Sequence, residues 1–181
     1  GEDGTPEAQL NPGANGAAWF VDSVRLVDGP DAEIAALGGL DTKTVAVVDK
    51  PFASLVENVA PAADSAARIA MTEYRVNLQR YEYTAAAPGV AVFSEIYYPK
   101  GWTAYLDGVE APYFRADYVL RAMVLPAGTH TVEFRFRAPH YELLSSLTLI
   151  SSLLLLGGVA AVAGAAGYRA YKKRKDNDGQ Q

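Results

Sequence analysis

Residues 131–138 read TVEFRFRA. In an extended chain Val132, Phe134 and Phe136 fall on one side, and Glu133, Arg135 and Arg137 on the other. This is a strand with one buried face. Just before it, Pro126-Ala-Gly-Thr129 supplies turn residues, and Asp117–Leu125 reads as the partner strand. Further upstream, Asp107-Gly108 lies between Trp102–Leu106 and Glu110–Arg115, the pattern of a hairpin closed by a type I′ turn. Pro88-Gly89 and Pro99-Lys-Gly101 bracket another strand, Val90–Tyr97. The polar-alternating, Tyr-rich stretch Ile69–Thr84 reads as one more. Short strands at this spacing, separated by turns, predict an antiparallel β-sandwich.

The first part of the chain follows a different pattern. Ala17–Val27 reads as a strand, and Asp31–Leu37 as a short helix opened by Pro30 and closed by Gly38-Gly39. The β-branched run Thr44–Val48 reads as a second strand. A small α/β portion over 16–66 therefore leads into a sandwich over 67–141. Residues 1–15 are rich in Gly, Pro and acid, as in an exposed connection. Ala53–Ala66, interrupted by Pro61, reads as a connection with some helix.

Residues 143–168 carry no charged side chain. A run of this length spans a bilayer core with room for tilt. Tyr141 stands at one end, and Tyr168 and Tyr171 at the other, where interfacial aromatics are expected. Arg169, Lys172, Lys173, Arg174 and Lys175 follow at once. The positive-inside rule predicts a cytoplasmic tail over 169–181, a transmembrane helix over 142–168 and an outer domain before it. A buried pair of core helices broken at Gly157-Gly158 fits the charge-free length and the basic stop less well. Gly157, Ala161 and Ala165, with Ala160 and Gly164, form a small-residue stripe that either admits a neighbouring helix or simply faces lipid.

Composition narrows the chemistry. Residues 1–142 carry a net charge of -8 and residues 143–181 a net of +3, giving -5 overall. An acidic outer domain is a poor nucleic-acid binder. With no Cys in the chain, thiol catalysis, thiolate metal sites and disulfides are all removed. His130 and His140 have no metal-ligand spacing. No Gly-rich loop opens a helix, and no Gly-x-Ser-x-Gly occurs. The sequence thus implies no cofactor and no metal. A carboxylate pair such as Glu95 with Asp117 remains a possible hydrolytic acid and base, because such pairs are defined in space. Aromatic residues concentrate in Tyr97, Tyr98, Trp102, Tyr105, Tyr113, Phe114 and Tyr118, with Arg115 and Arg121 alongside. They form either sandwich core or a platform for a glycan or partner. The candidate contacts are Tyr97, Tyr98, Trp102, Tyr105, Tyr113 and Arg115.

Residues 93–141, with the stretches YYPKGWTAYLDG, RADYVLRA and PAGTHTVEFRF, resemble the C-terminal extracytoplasmic domain of the YfhO family of bacterial integral membrane proteins. Residues 15–37 resemble the region preceding that domain. The resemblance implies a polytopic protein with a GT-C-like membrane body, some members being implicated in glycosylating cell-surface polymers from polyprenyl-phosphate sugars. It places the catalytic acid in an early extracytoplasmic loop with no counterpart here, so no catalytic residue is carried over. On this reading the chain is a non-catalytic periplasmic domain plus the last helix of an inner-membrane protein. Its partners would be the lipid bilayer, the preceding helices of the same polypeptide, and a glycan or lipid-linked sugar. The alternative is a membrane-anchored carbohydrate-binding or protein-interaction module.

Overall fold

A computed structural model of the chain describes residues 11–59 and 66–178. The expected connection over 1–10, part of the Ala-rich link (60–65) and the last three residues lie outside the described residues. The chain divides into two compact units, one ending at Arg137 and one beginning at Ala138.

The first unit is mainly β, as the alternating sequence requires. Its strands are β1 (Ala18–Val21), β2 (Ser23–Val27), β3 (Val45–Asp49), β4 (Arg68–Arg75), β5 (Leu78–Ala85), β6 (Gly89–Ile96), β7 (Trp102–Leu106), β8 (Val109–Ala111), β9 (Phe114–Ala116), β10 (Leu120–Leu125) and β11 (Gly128–Phe136). They form a six-stranded sheet A, ordered β1-β6-β10-β9-β3-β2, and a five-stranded sheet B, ordered β4-β5-β11-β7-β8. All neighbouring strands are antiparallel except β2 and β3, which run parallel through helix α1 (Pro30–Leu37). A parallel pair needs a crossover of this kind.

The sheets differ in how many faces they bury. In β6, Val90, Ala91, Val92 and Phe93 are all fully buried. Ala91 and Phe93 pack toward sheet B with Tyr81, Tyr83, Met123, Val132 and Phe134. Val90 and Val92 pack on the opposite face with Val21, Val48, Phe114 and Val56. Phe52, Leu55, Val56 and Val59, from the short helical segment that includes α2 (Ala53–Val56), cover that second face. Sheet A is therefore the middle layer, and its central strand reads as a continuous apolar run. Sheet B keeps one wet face. Each large side chain buried between the sheets contributes about 1.5–3 kcal/mol.

Several expected strands divide where the chain changes sheet or partner. Ala17–Val27 breaks at Asp22, its first half pairing with β6 and its second with β3. Ile69–Thr84 is a hairpin, with Arg75 opposite Leu78 across Val76-Asn77. Glu110–Arg115 breaks at Pro112 into β8 of sheet B and β9 of sheet A; Pro lacks the N–H that a continuous ladder needs. The expected pairing of Asp117–Leu125 with 131–138 does not form. β10 joins sheet A, where both its faces are largely buried, while one-sided β11 pairs with β5 and β7. The Pro126–Gly128 turn thus carries the chain between the layers. It is held by a hydrogen bond of 3.0 Å from the Tyr83 hydroxyl to the Pro126 carbonyl.

The Asp107-Gly108 hairpin forms as expected, with Leu106 opposite Val109. Both central residues have positive φ, 49° and 82°, as a type I′ turn demands. Asp107 also fastens the turn to β11. Its Oδ1 accepts from the Thr131 N–H at 2.9 Å and its Oδ2 meets His130 Nδ1 at 2.6 Å. The Thr131 N–H first, and His130 second, hold the Asp107 carboxyl below its usual range, while Asp107 raises His130.

The second unit consists mostly of helix α3 (Tyr141–Asp178), whose candidate span Leu143–Arg169 covers 27 residues, with a mean hydropathy of 2.1 over an 18-residue stretch. It is long and apolar enough to cross a membrane. All side chains from Leu143 to Arg169 are exposed. Its hydroxyls turn back onto the helix: Thr148 donates to the Leu144 carbonyl at 2.9 Å and Ser152 to the Thr148 carbonyl at 2.8 Å. Such internal bonds satisfy polar side chains where no water is present.

The Asp107-Gly108 turn gives a clean stability test. A side chain at Gly108 meets no atom within 4 Å, so Gly108→Val isolates the cost of positive φ. The expected loss is about 1–3 kcal/mol, read from denaturant unfolding; an unchanged midpoint would refute a strained turn.

Candidate functional site

The densest buried charge in the sandwich gathers where α1, β3 and the β9–β10 turn meet. α1 begins with Pro30 and carries Asp31 and Glu33 in its first turn, where acidic groups suit the helix dipole. Yet its one fully buried side chain is Glu33, while Ile34 is 53% exposed. Glu33 Oε2 accepts from Arg115 Nη2 at 2.8 Å and Oε1 from the Tyr118 backbone N–H at 2.9 Å. Arg115 Nη2 also reaches Asp49 Oδ2 at 3.3 Å, and Asp49 Oδ1 accepts from the Gly29 N–H at 2.9 Å.

Asp117 completes the cluster from the turn. Asp117 and Tyr118 both have positive φ, 49° and 71°, which reverses the chain between β9 and β10. The Asp117 N–H donates to the Val47 carbonyl, and its Oδ1 accepts from the Val47 N–H, each at 2.8 Å. Its Oδ2 is buried with no hydrogen-bond partner, as is Arg115 Nε. Burial pushes the Asp117 carboxyl up to about 6, against the Val47 N–H and helped by the negative charge of Glu33. Two carboxylates, Glu33 and Asp49, thus hold the Arg115 guanidinium, while Asp117 holds the backbone of Val47 beside them. Among the described residues no group of three His, Cys, Asp or Glu is placed to hold a metal ion.

The aromatic residues singled out in the sequence do not share one surface. Tyr97 packs between Phe52 and Tyr113, at centroid distances of 5.9 and 5.4 Å. Tyr113 lies edge-on to Phe134 at 5.6 Å and donates its hydroxyl to the Trp102 carbonyl at 3.2 Å. Trp102 stacks on Phe136 and carries the Arg121 guanidinium 4.2 Å above its ring. Arg121 is buried, donating to Gln79 Oε1 at 2.8 Å and to the Ile96 carbonyl at 2.9 Å. Trp102 and Tyr113 therefore belong to the inter-sheet packing near Arg121, while Tyr97 bridges Tyr113 to Phe52 of the other cluster. Tyr98 is 51% exposed. Tyr105 lies on the outer face of sheet B with the Arg135 guanidinium 4.7 Å from its ring. Arg115 stands apart, in the acid cluster.

Glu95 and Asp117 face different partners. The charge of Glu95 acts on Tyr81 and Arg121, and Asp117 stands with Glu33 and Val47. Sequence reasoning passed over Glu33 and Asp49, which carry no motif; a glutamate on an otherwise weakly amphipathic helix is the one trace of the buried role. No family model, curated protein or solved structure matches this chain.

The raised Asp117 carboxyl makes a signed expectation. Its folded pKa of about 6 lies above the unfolded value of roughly 3.9, so the folded state binds the extra proton between these limits. Asp117 therefore lowers stability progressively as pH rises through that window. Asp117→Asn keeps the Oδ1 acceptor and removes the charge. The difference in melting temperature, native minus variant, is expected to fall from pH 4 to pH 6.5; a flat difference would show that Asp117 is not raised.

Proposed function

We propose that this chain is the non-catalytic outer domain and terminal membrane helix of a polytopic, glycosyltransferase-like protein of the YfhO type, acting in cell-surface glycan assembly. The observation that carries the anchored part of this reading is α3. The uncharged run 143–168 lies in a helix long and apolar enough to cross a membrane and is followed by Arg169, Lys172, Lys173, Arg174 and Lys175. On the positive-inside rule the basic end lies in the cytoplasm and residues 1–141 on the other side of the membrane; the resemblance makes that membrane a bacterial inner membrane and that side the periplasm. The glycosyltransferase part rests on the resemblance of residues 93–141. The non-catalytic part is supported by the acid cluster, whose carboxylates bind backbone N–H groups and Arg115 within the fold.

A second reading, a membrane-anchored binding module, is favoured by one observation. Tyr105 and Arg135 lie together in an open groove on the wet face of sheet B.

The natural lack of cysteine makes topology directly measurable. Thr72→Cys on exposed β4 is expected to react with a membrane-impermeant maleimide in intact spheroplasts, and Asn177→Cys only after permeabilisation. The reverse pattern would invert the orientation. Sugar transfer from a lipid-linked donor by the 181-residue chain alone would overturn the non-catalytic assignment.

A further inference from the structure

The exposed apolar side chains of the sandwich are not spread evenly. Among the described residues of the first unit, nine large apolar or aromatic side chains are exposed, and six of them, Tyr74, Val76, Ile96, Tyr98, Tyr118 and Val119, gather at one end. Leu26 and Ile34 lie on β2 and α1. Val109 alone marks the opposite end, beside the Asp107-Gly108 turn. Single apolar residues scattered over a surface need no explanation, whereas a gathered set marks a contact.

Cross-strand register brings the six together. The β4–β5 turn, Val76-Asn77, sits where Arg75 meets Leu78, and Leu78 in turn stands opposite Arg135 of β11. Ile96 ends β6 opposite Leu120, and the Tyr97 N–H donates to the Val119 carbonyl at 2.7 Å. The β6–β7 loop then returns to Trp102, which stands opposite Phe136. The β4–β5, β6–β7 and β9–β10 turns therefore share one end, and it is the end at which the chain leaves the sandwich. The Phe136 N–H donates to the Asn77 carbonyl at 2.9 Å, and the Arg137 N–H to the Gly101 carbonyl at 2.8 Å. Gly101 has a φ of 101°, and a Cβ there would meet the Phe136 ring at 2.7 Å and the Arg137 carbonyl at 2.8 Å. Glycine lets the loop close on the departing strand. Only residues 137–140 then separate Phe136 from Tyr141, the first residue of α3. Fully extended, that link reaches roughly 18 Å.

Val76 is the side chain that folding does not explain. It is 94% exposed in a two-residue hairpin turn, a place that favours Gly, Asn and Asp. Tyr74, Tyr98 and Tyr118 each offer an apolar ring with a polar tip, the build that suits the boundary between water and lipid. Arg75, between Tyr74 and Val76, is paired with Glu73 at 2.6 Å, so the surface is distinguished by its apolar and aromatic side chains and not by charge.

We propose that this end of the sandwich seats in the headgroup layer of a lipid bilayer, with Val76 and Tyr98 as its anchors. The proposal rests on α3 being a membrane span, because the short link then keeps this end within reach of the layer where the span begins. That layer is about 5–7 Å deep on each side of the hydrocarbon core, a depth suited to side chains at the tips of turns.

The experiment uses the full chain in phosphatidylcholine nanodiscs, with discs carrying one chain and discs carrying two. The chain has no cysteine, so a nitroxide on a single introduced cysteine reports one position. Asn77→Cys and Lys100→Cys are reporters beside the anchors, Val109→Cys marks the opposite end and Leu154→Cys marks the span. The collision rate with oxygen is divided by that with a polar nickel chelate, a ratio that cancels local crowding and rises on immersion. Asn77→Cys and Lys100→Cys are expected to exceed Val109→Cys about threefold or more, as positions in the interfacial layer, with Leu154→Cys higher still. Val76→Asp/Tyr98→Asp changes only exposed side chains, so its melting curve should match the native chain, yet it should return Lys100→Cys to the Val109→Cys value. Reporters equal to Val109→Cys beside a high Leu154→Cys would overturn the proposal and leave the span standing. A Leu154→Cys ratio no higher than Val109→Cys would overturn both. A Lys100→Cys ratio unmoved by the aspartates would show nearness without seating, and immersion seen only in two-chain discs would assign the surface to a second copy; either result overturns the proposal.

Discussion

Sheet A is nearly two sheets, and one polar cluster makes it one. The parallel pair β2 and β3 meets the antiparallel strands through a single residue pair, Val48 opposite Ala116. Strand β9 is three residues long and then turns away. What continues the seam is Asp117, whose backbone and carboxylate engage both polar groups of Val47. The carboxylate takes the place of the strand carbonyl that would otherwise accept from Val47. Behind it, Arg115 joins Glu33 of α1 to Asp49 of β3. A buried cluster of this kind is costly to break from one side, because the remaining partner is left charged and unpaired. Helix α1 has no broad apolar face, so Glu33 supplies the specific attachment that hydrophobic packing supplies elsewhere.

The elements whose cause is local were readable in the sequence. TVEFRFRA forms a one-sided strand, Asp107-Gly108 forms its turn, and Pro30 and Gly38-Gly39 bound α1. The uncharged run at 143–168 forms part of one long helix. Decisions between distant partners were not readable. Nothing near Pro126 says that β10 and β11 lie in different sheets; β10 is largely buried on both faces because packing covers each of them. The aromatic residues illustrate the same limit. Tyr97, Trp102, Tyr105 and Tyr113 are close in sequence, yet Tyr105 lies on the wet face of sheet B, Trp102 and Tyr113 pack between the sheets, and Tyr97 reaches Phe52 of the other cluster. Period-2 alternation places neighbours on opposite faces, but it does not say which face is wet until the second sheet is known. Arg115 gave no sign of its partners, since Glu33 lies 82 residues away.

Charge in this molecule is used in three physically distinct ways. At the seam it is buried, with Arg115 held between Glu33 and Asp49. On the outer face of sheet B it is arranged in cross-strand ion pairs, Glu73 and Glu133 with Arg75, Arg80 and Arg135. After the uncharged run it forms a basic block, Arg169 and Lys172 to Lys175, the pattern that the positive-inside rule reads as membrane orientation. The first use fastens elements together, the second ties neighbouring strands on the wet face of sheet B, and the third is what the proposed orientation rests on.

The claim beneath this account is that the Glu33–Arg115 contact fastens α1 and β3 to the rest of the sandwich. A double-mutant cycle by denaturant unfolding of the full chain in detergent tests it most directly, using Glu33→Gln, Arg115→Met and their combination. The account expects a coupling of about 1–3 kcal/mol, the double variant losing clearly less than the sum of the singles. Asp49 retains part of Arg115 in the first single variant, so that variant should be the milder one. Additive losses would contradict the account and show that the helix and the parallel pair are held by something else.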